Sequence, residues 1–214
     1  MKGPLIIAGG YSTAVEIEEA ARALEPGRKV MRVWGDMEQG VPAGGLRQRD
    51  LEGWLRDSGG EATAIVSMVN PGLRKSWRAV FDRFGLPYET VRGPGSHLSP
   101  SAVVGEGCYL AFGSVISSGA AVGGHCLINY RVVVGHDAVL EQDVAVHPGG
   151  SLGGGCHLEE GVMIGANSFV VQGVRVGAFS KVDALTYVDR DIPAGSLVST
   201  RGGRLRILPN REVF

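Results

Sequence analysis

From Leu98 to Val188 an aliphatic residue stands at every sixth position, sixteen times in sixteen: Leu98, Val104, Leu110, Ile116, Val122, Ile128, Val134, Leu140, Val146, Leu152, Leu158, Ile164, Val170, Val176, Val182 and Val188. An α-helix turns about 100° per residue, so a step of six lands about 240° round the axis and cannot line one face. Short strands joined by turns, three hexads to a coil, instead point every one of these residues inward and stack each on its equivalent eighteen positions further along. That arrangement is a hexapeptide parallel β-helix of about five coils. A mostly small residue follows four places after each aliphatic, as in Ala102, Ser114, Ala120, Ala138, Gly150, Ser168 and Ser180. Cys108, Cys126 and Cys156 share that slot, which makes them small buried thiols of a cytosolic protein; no Cys or His cluster has the short spacing of a zinc site.

Composition fits this reading. Glycine reaches 34 residues without a collagen period, as a repeated backbone shape requires, and 21 basic against 22 acidic residues give a net charge of −1. No strongly positive field is available for nucleic acid, so a small-molecule partner is expected. The first apolar run, Leu5–Ala8, breaks at Gly9 and Gly10 and is too short for a signal peptide or membrane span, so a cytoplasmic location is expected.

Before Leu98 the texture changes. "PLIIAGG", "KVMRVWGD" and "EATAIVSMVN" read as strands. "STAVEIEEAARAL", with Ser12 or Thr13 near its N-cap, "RDLEGWLRDSG" and "PGLRKSWRAVFDRFG" read as helices. Alternation of this kind predicts a small parallel α/β domain over residues 1–95, then the β-helix over 96–200 and a C-terminal tail over 201–214. Ligands of parallel sheets gather at the strands' carboxyl ends, here Gly9, Gly10, Tyr11, Asp36 and Asn70. The loop "AGGYST" lacks the full dinucleotide fingerprint, and a plain strand-to-helix turn explains it equally well.

Among five histidines, His136 is followed by Asp137, a carboxylate able to orient an imidazole and stabilise its protonated form. Consecutive strand residues face opposite ways, so the two meet only at a turn. His147 lies eighteen residues beyond Asn129 and stacks on the same face. His125 and His157 are expected at the surface, and His97 falls at the domain junction.

The motifs "IIAGGYSTAVEI", "SMVNPGLRK", "SPSAVVGEG", "INYRVVVGHDAVLEQDVAVHPGG" and "GANSFVVQGVRVGAFSKVDALTYVDRDIPAGS" resemble those of bacterial sugar O- and N-acetyltransferases, of the sialic acid O-acetyltransferase and UDP-4-amino-sugar N-acetyltransferase type. The resemblance spans the chain and is more specific in its second half. It implies a Rossmann-like sugar-nucleotide domain ahead of a left-handed β-helix, acetyl-CoA as co-substrate with no metal, a homotrimer, and a place in polysaccharide biosynthesis. It also implies His136 as general base with Asp137, a nucleotide-sugar site at Gly9, Gly10, Tyr11, Ser12, Asp36, Asn70 and Arg74, and coenzyme contacts at Gly154, Ala166 and Ala184. Three departures stand out. Many members carry a second, thioester-contacting histidine where this chain has Ala145, and His147, two places later, is its candidate replacement unless it merely pairs with Asn129. Gly-His is common in the family at Tyr11-Ser12, and a small C-terminal ending is replaced by "STRGGRLRIL". The competing readings are a γ-carbonic-anhydrase-like zinc hydrolyase drawing on His125, His136 and His147, and a non-catalytic sugar-nucleotide scaffold.

Overall fold

A computed structural model describes residues 2–10, 12–42, 45–58 and 61–210. Its larger part is a parallel β-solenoid of the left-handed type with about six turns, one more than the hexad count suggested. The extra turn comes from both ends. Val91–Arg92 pairs ahead of the first hexad, and Ser196–Ser199 pairs after the last, followed by the antiparallel strand Arg206–Pro209.

Each coil contributes one two-residue strand to each of three faces. Face 1 carries Tyr109–Leu110, Leu127–Ile128, Ala145–Val146, Met163–Ile164 and Lys181–Val182 between the two end strands. Face 2 runs from His97–Leu98 through Val133–Val134 to Tyr187–Val188, and face 3 from Val103–Val104 to Arg175–Val176. Register is eighteen from coil to coil, as in Leu127 opposite Ala145 and Ala145 opposite Met163, and shortens to sixteen at the last step, where Lys181 stands opposite Leu197. The second residue of each two-residue strand from His97–Leu98 onward points inward. Except for the partly buried Leu98 and Val104 of the first coil, every periodic aliphatic belongs to one buried stack, together with Cys108, Cys126 and Cys156.

Turning three corners per coil forces the backbone into the left-handed region once at most corners. Glycine supplies many of these positions, but Arg131, Asp137, Asp143, Asn167, Phe179 and Leu185 also occupy them, with φ between 53° and 62°.

The first part of the chain forms a four-stranded parallel sheet of order β3-β2-β1-β4: β1 Leu5–Ala8, β2 Val30–Trp34, β3 Leu46–Arg47 and β4 Thr63–Val66. Helices α1 Thr13–Leu24, α2 Leu51–Asp57 and α3 Pro71–Asp82 connect and cover it. The two-residue β3 was not anticipated, being too short to show a strand period. Ile17, Ala14 and Ala21 of α1 pack with Tyr109, Leu127 and Ala145 of face 1, so one helix belongs to both hydrophobic units. No helix among the described residues is long and apolar enough to cross a membrane.

A polar seam closes the other side of this contact. Arg74 of α3 is completely buried, donating through Nε to Met68 O (2.8 Å), through Nη2 to Val69 O (2.9 Å) and through Nη1 to His125 O (2.7 Å). Asp143, also buried, lies 3.6 Å from Arg74 and 2.8 Å from Arg78. Burial lowers the Arg74 pKa and raises that of Asp143, and the mutual attraction opposes both shifts. His125, expected at the surface, is buried here at 8 % exposure because this corner is the docking surface for α3 and the Tyr88 ring, 4.6 Å away edge-on.

Burial, then the charges of Arg78 and Arg74, push the pKa of His125 down to about 4. A histidine whose folded pKa lies below its unfolded value near 6.5 binds fewer protons when folded. Its contribution to stability is therefore fully present above about pH 6.5 and lost as pH falls towards 4, by about 3 kcal/mol at most. Urea unfolding measured across that window is expected to show the decline. His125→Asn, which tolerates the left-handed φ of 59°, is expected to flatten it; an unchanged slope in the variant would place the titrating group elsewhere.

Candidate active site

The corner between faces 2 and 3 carries the imidazole–carboxylate pair. Asp137 occupies its left-handed turn, φ 56°, which brings its side chain back beside the preceding residue: His136 Nδ1 and Asp137 Oδ2 are 2.9 Å apart. A carboxylate only accepts, so Nδ1 carries the proton and Nε2 keeps its lone pair. Both side chains are exposed, at 57 % and 72 %. Gly154, one coil further on, lies directly against the ring: a Cβ there would stand 2.4 Å from His136 Nε2. Its expected coenzyme contact is thus adjacent to the candidate base, on a different corner from Ala166 and Ala184.

A second group of residues lies at the carboxyl ends of β1 and β4. Gly9, Gly10, Ser12, Thr13, Glu38 and Ser67 line one groove. Gly10 is required by the Trp34 indole, which a Cβ would approach to 1.7 Å, and Gly9 has φ +105°. Ser12 stands at the N-cap position of α1 with φ 35° and makes no side-chain cap, so the first N–H groups of a three-turn helix face the groove without that partner. Of the other residues expected here, Asp36 lies on the neighbouring turn, accepting from Arg49 N at 3.0 Å. Asn70 caps α3, accepting from Leu73 N at 3.0 Å, and Arg74 is spent in the buried seam. Tyr11 lies outside the described residues. Glu38 was not singled out in the sequence, where nothing separates it from other loop carboxylates.

Thr13 and Val69 also line a narrow crevice, with Tyr109, Leu127, Asn129 and His147 behind them. His147 continues from it into a groove along the edge of face 1, walled by Gly165, Ala166, Ala184 and Lys181. The structure thus joins the carboxyl-end groove, the Asn129–His147 crevice and the Ala166–Ala184 groove end to end. Burial lowers the His147 pKa, so its ring is neutral at neutral pH. Ala145 belongs to the core shared with α1 and lines the same crevice as His147.

His125, His136 and His147 stand on three different corners of the solenoid and do not converge. Among the described residues no group of three or more His, Cys, Asp or Glu is placed to hold a metal ion.

A corner histidine on a hexad solenoid, behind a parallel α/β unit, is the layout of a hexapeptide-repeat acyltransferase. Solved structures narrow the class. PerB from Caulobacter crescentus, crystallised with CoA and GDP-perosamine, is 30 % identical with a TM-score of 0.84, the match covering 96 % of this chain and 97 % of that one. The acetyltransferase domain of PglB from Neisseria gonorrhoeae is 25 % identical (TM-score 0.83; 96 % and 99 % covered). WeeI from Acinetobacter baumannii shares the fold at 19 % identity (TM-score 0.87; 97 % and 100 % covered). No protein-family model and no curated protein matches the chain. The chain belongs to the bacterial sugar acetyltransferases of the hexapeptide-repeat type.

Gly154→Ala tests the corner geometry. The added methyl overlaps the imidazole, which is exposed and free to swing away, so unfolding stability is expected to change by less than about 1 kcal/mol. Acetyl transfer is expected to fall by about 10²-fold, as for any small displacement of a reacting group. Wild-type turnover in this variant would show that the position of the His136 ring does not matter.

Proposed function

We propose that the chain transfers an acetyl group from acetyl-CoA to an amino or hydroxyl group of a nucleotide-linked sugar, with His136 as general base. The observation that carries this reading is the His136–Asp137 pair, held at 2.9 Å through Nδ1 on an exposed corner. Nε2 accepts the proton of the attacking amine or hydroxyl as the thioester carbonyl is attacked, and Asp137 holds the resulting imidazolium. The proton then passes to the departing thiolate, which restores the neutral ring. CoA and GDP-perosamine in complex with PerB, a match over nearly the whole of both chains, support the two substrate classes.

Residues 1–95, as a Rossmann-like domain, take the nucleotide sugar, and residues 96–200 carry out acyl transfer; the segment expected as a tail from 201 instead pairs Arg206–Pro209 back onto Ser196–Ser199. Gly9, Gly10, Tyr11 and Ser12 receive the phosphates at the start of α1, where helix N–H groups favour negative charge. The crevice at His147 and Asn129 then receives the sugar, with Asp36, Asn70 and Arg74 shaping the surrounding loops. Gly154, Ala166, Ala184 and His147 border the acetyl-CoA path. Both substrates are cytoplasmic metabolites, and that is the compartment we assign.

The assembly is a homotrimer. His136 stands on the corner between faces 2 and 3, whereas the three joined grooves follow α1 and the opposite edge of face 1. One chain therefore presents the base and the grooves on different edges, and a neighbouring copy brings them together. Outward apolar residues on the faces between, Val133, Val139, Phe169 and Tyr187, with the last two stacked at 5.7 Å, suit such contacts.

His136→Ala is expected to lower kcat by about 10²- to 10⁴-fold with little change in acetyl-CoA affinity. Asp137→Asn should fall between wild type and His136→Ala, and His147→Ala should raise KM more than it lowers kcat. Light scattering should give a trimer. An active His136→Ala variant, or a monomer at micromolar concentration, would overturn the corresponding part of the reading.

A further inference from the structure

Residues one coil apart stack in columns at the corners of the solenoid, and several left-handed corner residues fold their side chains down over the coil before them. Gly107 lies beneath the His125 ring, Gly149 beneath the Asn167 amide and Gly161 beneath the Phe179 ring, each so close that a Cβ would overlap the side chain above. The glycine below makes room for the side chain one coil on. The column that carries the candidate dyad runs Ser101, Gly119, Asp137, Gly155, Gly173.

Asp137 turns down in the same way. A Cβ on Gly119, whose φ is 69°, would stand 2.3 Å from Asp137 Oδ1 and 3.3 Å from its Cγ. The other carboxylate oxygen, Oδ2, is the one 2.9 Å from His136 Nδ1. The backbone on both sides of this contact is fixed: Gly119 N donates to Ser101 Oγ at 3.1 Å, and Asp137 N donates to Ser118 O at 3.0 Å. With its side chain 72 % exposed, Asp137 has no packing to choose its rotamer, so the space over Gly119 decides where the carboxylate rests. Gly155 and Gly173, higher in the same column with φ 64° and 74°, serve the backbone turn alone, because a Cβ on either meets nothing within 4 Å.

We propose that Gly119 is a positioning residue for acetyl transfer: the absence of a side chain there sets the rotamer in which Asp137 faces His136 Nδ1, which keeps the proton on Nδ1 and the lone pair on Nε2. The proposal rests on His136 as general base. Gly119 touches no reacting atom and acts through Asp137, as Gly154 leaves room for the ring from the coil above. Any side chain at 119 blocks that rotamer and turns the carboxylate away from the imidazole.

Nitrogen-15 NMR of the imidazoles in the full chain, with kcat and KM measured on the same samples, tests it; the His136 signal is identified by its absence from His136→Ala. In wild type the neutral His136 ring is expected as the Nδ1–H tautomer. Gly119→Ala should move it towards the Nε2–H form, as Asp137→Gly does, and lower kcat by about tenfold while KM for acetyl-CoA stays within about twofold. Gly173→Ala carries the same left-handed strain without the contact, so it should lose as much thermal stability as Gly119→Ala yet keep the wild-type tautomer and turnover. Gly119→Asn, which tolerates the left-handed φ, repeats the measurement should Gly119→Ala fold poorly. An unchanged tautomer in both Gly119 variants overturns the inference, and so does an equal change in Gly173→Ala, which makes the column merely structural. A shifted tautomer with wild-type turnover upholds the placement of Asp137 by Gly119 and overturns His136 as the base.

Discussion

Every other feature of this molecule hangs on the inward stack of one aliphatic side chain per hexad. Each coil has only two paired residues per face, too few to be stable alone, and gains stability by closing its apolar residues against the coil on either side. Truncating a fully buried member such as Ile128 or Leu158 to alanine would typically cost about 2–5 kcal/mol, because the cavity is sealed above and below and cannot collapse. The stack also fixes register: a slip by one residue would turn the whole aliphatic row outward.

The same constraint decides where chemistry can be placed. Strand residues on a face are committed to a ladder, and inward residues to the core, which leaves the corners. Most corners need a left-handed residue, and there the chain departs from glycine at points that matter. Asp137 accepts that conformation and thereby sits beside His136, while Asp143 does so on the corner where the α/β unit docks. The buried seam of Arg74, Arg78 and Asp143 holds α3 in place, and α1 shares its apolar face with the solenoid. Since the loop at Gly9 and Gly10 leads into α1, this docking also sets the distance from that loop to His147. The coil corner and the parallel sheet are thus linked through one helix.

How much of this the sequence reveals depends on whether a feature repeats. The hexad period announces the solenoid, and the strand–helix alternation announces the parallel sheet, since both are local patterns. The sheet edge at Leu46–Arg47 has two residues and no period. The burial of His125 depends on a surface provided by Tyr88 and Arg74, far away in sequence, and was hidden for that reason. Arg74 was expected at the nucleotide-sugar site through the family resemblance alone, but three backbone carbonyls and a buried carboxylate account for its charge. Glu38 enters the groove wall only because the turn after β2 folds it back onto Gly35 N, at 2.8 Å.

The positions of the histidines extend this logic. Three of them lie eleven residues apart, at His125, His136 and His147, and a step of eleven is one short of two hexads. Each step therefore carries the chain nearly two corners on, so the three fall on three different corners and cannot share a ligand within one chain. Their surroundings then separate them physically. His125 is buried against arginines and held neutral, His147 is half-sheltered in a crevice and neutral by desolvation, and His136 alone is paired with a carboxylate and open to solvent. A base for proton transfer needs a carboxylate to hold its imidazolium and an open path for its second nitrogen. Of the three corners, only the one bearing Asp137 meets both conditions.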